Sequence, residues 1–376
     1  MDERSQTKSD EKTTSPHIQH EPAPRPSRRS GCFTFIDGDY GLFLLIVATL
    51  MTVFVASGLS MVGVDMTHKY LGWDKVDRGQ KGIFCREGSK TEAVKCSVGS
   101  QSAYDEPLLL DRFIMLGDSI TQLAWQTGGT GAELQNFYQR KLDVVQRGYG
   151  GYTASWIAYV AGHVIPTYYA RQRGLAPRVK ILTIWIGAND AVVPGLPQHV
   201  PLPIFAENLK NIVKILRDPQ GPWYLSEEET TIILLTPPPV DQRLRVKALT
   251  AERSVNATSD REWDVTKDYA AAVVNIAKSF ASPATLYLDT FTLIQSFADT
   301  LHGGSLDPYL SDGVHLTAAG YDIVTRGLVG PDGVIRKFAP QLMPERLSMA
   351  FPPWEMIDRD MPGKSFPPQT GMMWGP

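Results

Sequence analysis

The stretch VKILTIWIGAND, residues 179–190, decides the fold. Its first eight residues carry one charge, at Lys180, and are otherwise apolar or β-branched on both alternating faces. A strand with one wet face would alternate apolar with polar residues. One that is apolar on both faces belongs to a parallel sheet covered by helices above and below. Four other runs share this character: FIML from residue 113, LDVV from 142, TIILLT from 231 and TLYLDTF from 285. Between them lie stretches with helical periodicity, over residues 132–141, 153–171, 204–216, 261–281 and 318–327. In AENLKNIVKILRD (206–218), for example, Leu209, Ile212, Val213 and Leu216 share one stripe while Lys210, Lys214 and Arg217 face away. This alternation predicts an α/β fold, a three-layer α/β/α sandwich on a parallel sheet. Ligands in such folds bind at the carboxyl ends of the strands.

The residues that follow each strand therefore carry the weight. Gly117-Asp118-Ser119 follows the first strand, Arg147-Gly148-Tyr149-Gly150-Gly151-Tyr152 the second, and Gly187-Ala188-Asn189-Asp190 the third. Ser311-Asp312-Gly313-Val314-His315-Leu316-Thr317 stands before the last helix. Each block alone is a weak signal; together they supply the parts of acyl transfer. Ser119, where a strand turns into a helix, presents a hydroxyl and a backbone N–H in the positive field of a helix start. His315 is the candidate base, and Asp312, three residues earlier across a glycine turn, can hold its other ring nitrogen. Gly151 offers an unobstructed backbone N–H and Asn189 an amide, which with the Ser119 N–H make three donors for an oxyanion. His163 lies inside a helical pattern, and His302 has no carboxylate at a matching spacing, so neither competes as the base. Asp118 is expected to hold the turn, with pocket lining as its alternative, and Asp190 reads as either pocket or helix cap. His199, in PQHVPL (197–202), reads as pocket lining or loop packing, and Trp185 and Trp156 read as core.

These blocks resemble the SGNH (GDSL) hydrolase superfamily, and most closely its isoamyl acetate-hydrolysing esterase branch. The similarity runs through GDSITQ, RGYGGYT, TIWIGANDA, PQHVPL with FAENLK, LLTPPP and YLSDGVHLTAAG, and faintly into FPPWEMID, spanning residues 112–358. It implies a flavodoxin-like three-layer sandwich with neither metal nor organic cofactor. It also implies Ser119 as nucleophile, Gly151 and Asn189 as oxyanion donors, and Asp312 with His315 completing a triad. Gln146 and Gly150 depart from the branch, where Asn and Ser are usual; neither departure removes a catalytic atom. The expected activity is a serine esterase acting on short-chain esters such as acetates of small alcohols. Carbohydrate O-acetyl esterase, lysophospholipase and acyltransferase share the same chemistry and stay open. A silent membrane-anchored scaffold is the non-enzymatic alternative, against which retention of all five positions argues.

The 376 residues, 43% hydrophobic and 20% charged, can bury a full core, which excludes disorder throughout. Net charge is -3 and the basic residues are scattered, so no nucleic-acid footprint is present. Residues 41–64 (GLFLLIVATLMTVFVASGLSMVGV) form an uncharged apolar run long enough to cross a bilayer core of about 30 Å. They predict a single N-terminal transmembrane helix acting as a signal anchor, preceded by a disordered polar tail over 1–40. A connector over 65–108, a hydrolase domain over 109–338 and a Pro- and Met-rich tail over 339–376 complete the expected organisation. Arg25, Arg28 and Arg29 before the run balance Lys69, Lys75, Arg78 and Lys81 after it, so charge does not set orientation. Cys85 and Cys96 lie close together beyond the run, either as a disulfide or as two free thiols. Asn256-Ala257-Thr258 is a glycosylation sequon on the same side. Both favour a luminal or external catalytic part, with the cytosolic face as the alternative; the sequence sets no oligomeric state.

Overall fold

The computed structural model describes residues 109–360 and Ser365, together with the backbone of two strands, β1 (Lys81–Arg86) and β2 (Lys95–Ser100). The expected tail (1–40), the expected transmembrane helix (41–64) and most of the connector lie outside the described residues. Among the described residues no helix is long and apolar enough to cross a membrane. β1 and β2 pair antiparallel in a register that sets Cys85 opposite Cys96.

Five strands, β3 (Arg112–Gly117), β4 (Asp143–Gly148), β5 (Val179–Trp185), β6 (Thr231–Leu235) and β7 (Thr285–Leu288), form the main sheet. All are parallel, in the order β4-β3-β5-β6-β7. The chain steps outward from β3 to β4, returns past β3 to β5, then continues the other way. That reversal opens a crevice at the carboxyl ends of β3, β4 and β5.

Period-two alternation along the strands divides the core. Phe113, Met115, Ile181, Trp185, Ile233 and Leu235 face one helical layer, built from α1 (Ser119–Leu123), α2 (Thr130–Phe137), α8 (Thr290–His302), α9 (Ala318–Val329) and α10 (Val334–Phe338). Ile114, Leu116, Leu182, Ile184, Ile232 and Leu234 face the other, built from α3 (Ala154–Val164), α5 (Leu202–Arg217) and α7 (Trp263–Ser279). Each such side chain contributes about 1.5–3 kcal/mol by leaving water, which is why strands apolar on both faces settle between two helical layers.

The structure corrects several boundaries. The helix expected over 153–171 is two, α3 and then α4 (Tyr168–Gln172), because Pro166 lacks an N–H and holds Ile165 before it in an extended conformation. α6 (Gln242–Arg253) was not expected: only Leu249 is buried along it, so it lacks a readable apolar stripe. The strand expected over TLYLDTF ends at Leu288, because Asp289 caps α8 and Thr290 and Phe291 already belong to that helix. The tail expected from residue 339 is also shorter than read. Ala339, Leu342 and Met343 are buried in the core, and Arg140 Nη2 bonds the carbonyls of Phe351 (2.6 Å) and Pro352 (2.9 Å). The sandwich therefore extends to about residue 352; short 3₁₀ turns at Pro340–Leu342 and Pro344–Arg346 have no periodicity for a sequence reading to find.

Candidate active site

β3 ends on Gly117 because nothing larger fits. A Cβ there would stand 2.1 Å from Thr121 Oγ1 and 2.4 Å from the Trp185 carbonyl oxygen, so only glycine lets α1 fold back over the strand end. Asp118 caps that helix, its Oδ1 accepting the Ile120 N–H at 2.9 Å. Ser119 is thereby the first helical residue, and its own N–H has no intrahelical acceptor.

The Ser119 hydroxyl meets His315 across 196 residues of chain, Oγ to Nε2 at 2.9 Å. Behind the ring, Nδ1 contacts Asp312 Oδ2 at 2.8 Å. Asp312 Oδ1 accepts two backbone N–H groups, from Val314 at 3.0 Å and His315 at 2.8 Å, which lock the carboxylate in the loop. Burial alone would raise the Asp312 carboxyl. The hydrogen bonds from the ring and the two N–H groups, and the charge of His315, instead hold it well below the usual carboxylate range. An ionised carboxylate only accepts, so Nδ1 carries the ring proton and the Nε2 lone pair faces the serine. Such a relay can draw the proton from an attacking hydroxyl.

The second and third strand ends close around the serine. A Cβ on Gly150 would come within 3.8 Å of Ser119 Cβ, which places the β4 loop beside the hydroxyl. Gly151 has φ of +81°, a left-handed conformation that side-chain-bearing residues rarely adopt, and its carbonyl accepts from Gln198 Nε2 at 2.7 Å. Gln122, in the first turn after the serine, accepts the Gly150 N–H at 2.8 Å. After β5, buried Asn189 donates through Nδ2 to the Tyr152 carbonyl at 2.9 Å, while its Oδ1 accepts from Arg261 Nη2 at 3.0 Å. Ser119, Asp312, His315, Gly151 and Asn189 are thus brought to one crevice.

The other candidates lie elsewhere. Asp118 and Asp190 are enclosed beneath the crevice, not in its wall. Burial pushes both carboxyls up, Asp118 to about 6 and Asp190 to about 7, the second raised further by the charge of Asp118. Asp190 caps a helix, but not its own: it accepts the Ala154 N–H at the start of α3. His199 directs Nδ1 at the Val192 carbonyl at 2.7 Å, a loop-packing contact. Trp185 is core, its indole N–H bonded to the Thr236 carbonyl at 2.9 Å. Trp156 is not. It is 44% exposed and packs edge-on against Tyr152, which stacks on Tyr149 in the glycine loop. α3 is apolar around most of its circumference (ASWIAYVAGHV), so periodicity could not say which residue faced out.

Gln122 and Gln198 lie in the GDSITQ and PQHVPL blocks, which gave them no role, and three more residues around the site, Arg245 on α6, Asp260 and Arg261, carry no sequence signal. Their contacts, to backbone for the two glutamines and among charged side chains for Arg245, Asp260 and Arg261, exist only once the chain is folded.

A GDSL-like Lipase/Acylhydrolase family model matches residues 115–323. The chain is 32% identical to a GDSL esterase/lipase of Arabidopsis thaliana over 260 residues, covering 67% of this chain and 96% of the relative. It is 34% identical to an isoamyl acetate-hydrolyzing esterase 1 homolog of Bos taurus, covering 59% of this chain and 81% of that protein. With the isoamyl acetate-hydrolyzing esterase of Saccharomyces cerevisiae it shares 28% identity, over 66% of this chain and 95% of the yeast protein.

Proposed function

Because the chain belongs to the GDSL-like lipase/acylhydrolase family and is a carboxylic ester hydrolase, we propose that it cleaves short-chain esters, acetates of small alcohols above all, through an acyl-enzyme on Ser119. The observation that carries this is the unbroken relay from Ser119 Oγ through the His315 ring to Asp312. The acetate preference is supported by the relatives named for isoamyl acetate hydrolysis.

In the first half-reaction Ser119 Oγ bonds to the ester carbonyl carbon while its proton passes to His315 Nε2. The carbonyl oxygen takes up the electron pair, opposed by the N–H groups of Ser119 and Gly151 and the Asn189 amide, each donor worth about 3 kcal/mol in the transition state. Collapse of the tetrahedral intermediate breaks the bond to the alcohol oxygen, which leaves with the proton held by His315. Water then repeats the sequence on the acyl-enzyme, releasing the carboxylic acid and restoring the serine.

A fluorophosphonate probe is expected to label the wild type and leave Ser119→Ala unlabelled, with kcat for a chromogenic acetate falling about 10⁴-fold or more in the variant. Equal labelling of the two would sink the assignment of the serine. Faster turnover of long-chain than of acetyl esters would overturn the substrate half.

The apolar run at 41–64 supports a second element of the reading, a single membrane-spanning helix that tethers the hydrolase. A luminal or external catalytic part suits a hairpin with Cys85 opposite Cys96 and an exposed Asn256 sequon.

A further inference from the structure

The loop carrying Asp312 and the loop carrying Asn189 are joined behind the crevice by three charged side chains that the reaction does not consume. Arg245, on α6, donates from Nη1 to Asp312 Oδ2 at 3.3 Å. Its Nε and Nη2 clamp both oxygens of Asp260, at 2.8 and 2.9 Å. Asp260 Oδ2 also accepts from Arg261 Nη1 at 2.8 Å, and Arg261 reaches Asn189 Oδ1 through Nη2 and the Ala188 carbonyl through Nε at 2.8 Å. The chain of contacts is therefore continuous from the acid of the relay to the amide of the oxyanion site. Counted with Asp312 it holds two guanidinium and two carboxylate groups, so it is neutral as a whole and can stay largely buried.

Backbone contacts pin both ends. The Val193 N–H donates to the Asp260 carbonyl at 2.9 Å and Val192 forms a bridge with Arg261, so this segment is docked directly behind Asn189. The Asp241 N–H at the start of α6 donates to the Gly313 carbonyl at 3.0 Å, which docks the Asp312 loop on the helix that supplies Arg245.

We propose that Arg245, Asp260 and Arg261 are positioning residues that hold the relay acid and the oxyanion amide in one arrangement, with Arg261 setting which way the Asn189 amide faces. This deepens, and rests on, the catalytic reading of Ser119, His315 and Asn189. A primary amide presents an acceptor on one arm and two donors on the other, and rotation by half a turn exchanges them. Arg261 has only donors, so the arm that meets it is Oδ1. The Tyr152 carbonyl only accepts, so the arm that meets it is Nδ2. One Nδ2 hydrogen is spent on Tyr152 and the other stays free for the developing oxyanion. With Arg261 gone, Oδ1 loses its buried partner and a single contact is left to hold the amide.

Removing Arg261 leaves Asp260 partly uncompensated, so the test uses two variants of the full chain, Arg261→Gln and the charge-keeping Arg261→Lys, each made in the wild type and in Asn189→Ala. In the wild-type background either variant is expected to lower kcat for a chromogenic acetate about 10- to 100-fold, the cost of a misplaced catalytic group, with KM changing less than about threefold. In the Asn189→Ala background the further loss should shrink to about threefold or less, because the group through which Arg261 acts is already gone. Equal losses in both backgrounds, or a loss carried by KM, would overturn the proposal. Turnover surviving in Ser119→Ala would instead overturn the reading of the site on which it rests.

Discussion

Asp190 shows how far a residue's role can lie from its local sequence. Cap rules look three residues ahead of a helix start, and by them Asp190 could only be a pocket residue or the cap of whatever followed it. It accepts the N–H of Ala154, 36 positions earlier, where the natural cap position, Thr153, makes no side-chain bond of its own. The pairing of Ser119 with His315, proposed as nucleophile and base, could be anticipated for the opposite reason: few residue types can attack a carbonyl or shuttle a proton, so their positions after a strand and beside an aspartate singled them out. Arg261 and Asp260 could not be anticipated, since an Asp-Arg pair in a polar segment has the composition of any solvated loop. The enclosure of Asp190 has a pH consequence. Its carboxyl titrates near 3.8 unfolded and is raised to about 7 folded, burial first and Asp118 next. A group raised on folding contributes stability that is present below the lower value and lost as pH rises through the higher one. Asp190→Asn keeps an acceptor for Ala154 and cannot ionise. Between pH 5 and pH 8 its thermal midpoint is expected to rise relative to wild type, and two curves that stay parallel would show that Asp190 does not titrate in that window.

At the scale of elements, the strands were the most readable because burial on both faces leaves a continuous apolar run bounded by turn residues. All five stand where the runs are. Helices were readable in proportion to their contrast: α5 and α7, with one buried stripe and one polar face, were found, whereas α6 was missed for want of a stripe. The segment after α10 shows the same limit from the other side. It reads as a tail, yet Leu342 and Met343 are buried in the core, and the Lys141 ammonium bonds the Leu347 carbonyl. Burying two such side chains is worth about 3–6 kcal/mol together. A chain ending at residue 338 is therefore expected to melt roughly 6 °C or more below one ending at residue 360. Equal midpoints in calorimetry would show that this segment adds nothing to the fold.

For the whole molecule, strand order is what turns separate loops into a site. Three of the loops follow β3, β4 and β5, the three strands around the point where the chain reverses its direction across the sheet. The fourth, with Asp312 and His315, arrives from before α9 and docks on α6, almost two hundred residues from the serine it meets. The proposed tether is tested at this scale. If residues 41–64 anchor the chain with its catalytic part on the luminal side, the exposed Asn256 carries a glycan. Expressed in a eukaryotic secretory system, Asn256→Gln should then migrate faster than wild type by about one glycan, and glycosidase treatment should abolish the difference. A wild-type chain that resists the glycosidase, with its Cys85 and Cys96 thiols open to a membrane-impermeant alkylating reagent only after permeabilisation, would put the catalytic part on the cytosolic side. What the sequence determined by itself was the set of parallel strands and the residues proposed as nucleophile, base, acid and oxyanion donors, because hydrophobic period and chemical necessity are both local. Only the tertiary structure decided which way the Asn189 amide faces, what caps α3 and where the fold ends, because each depends on charges and carbonyls brought together from distant parts of the chain.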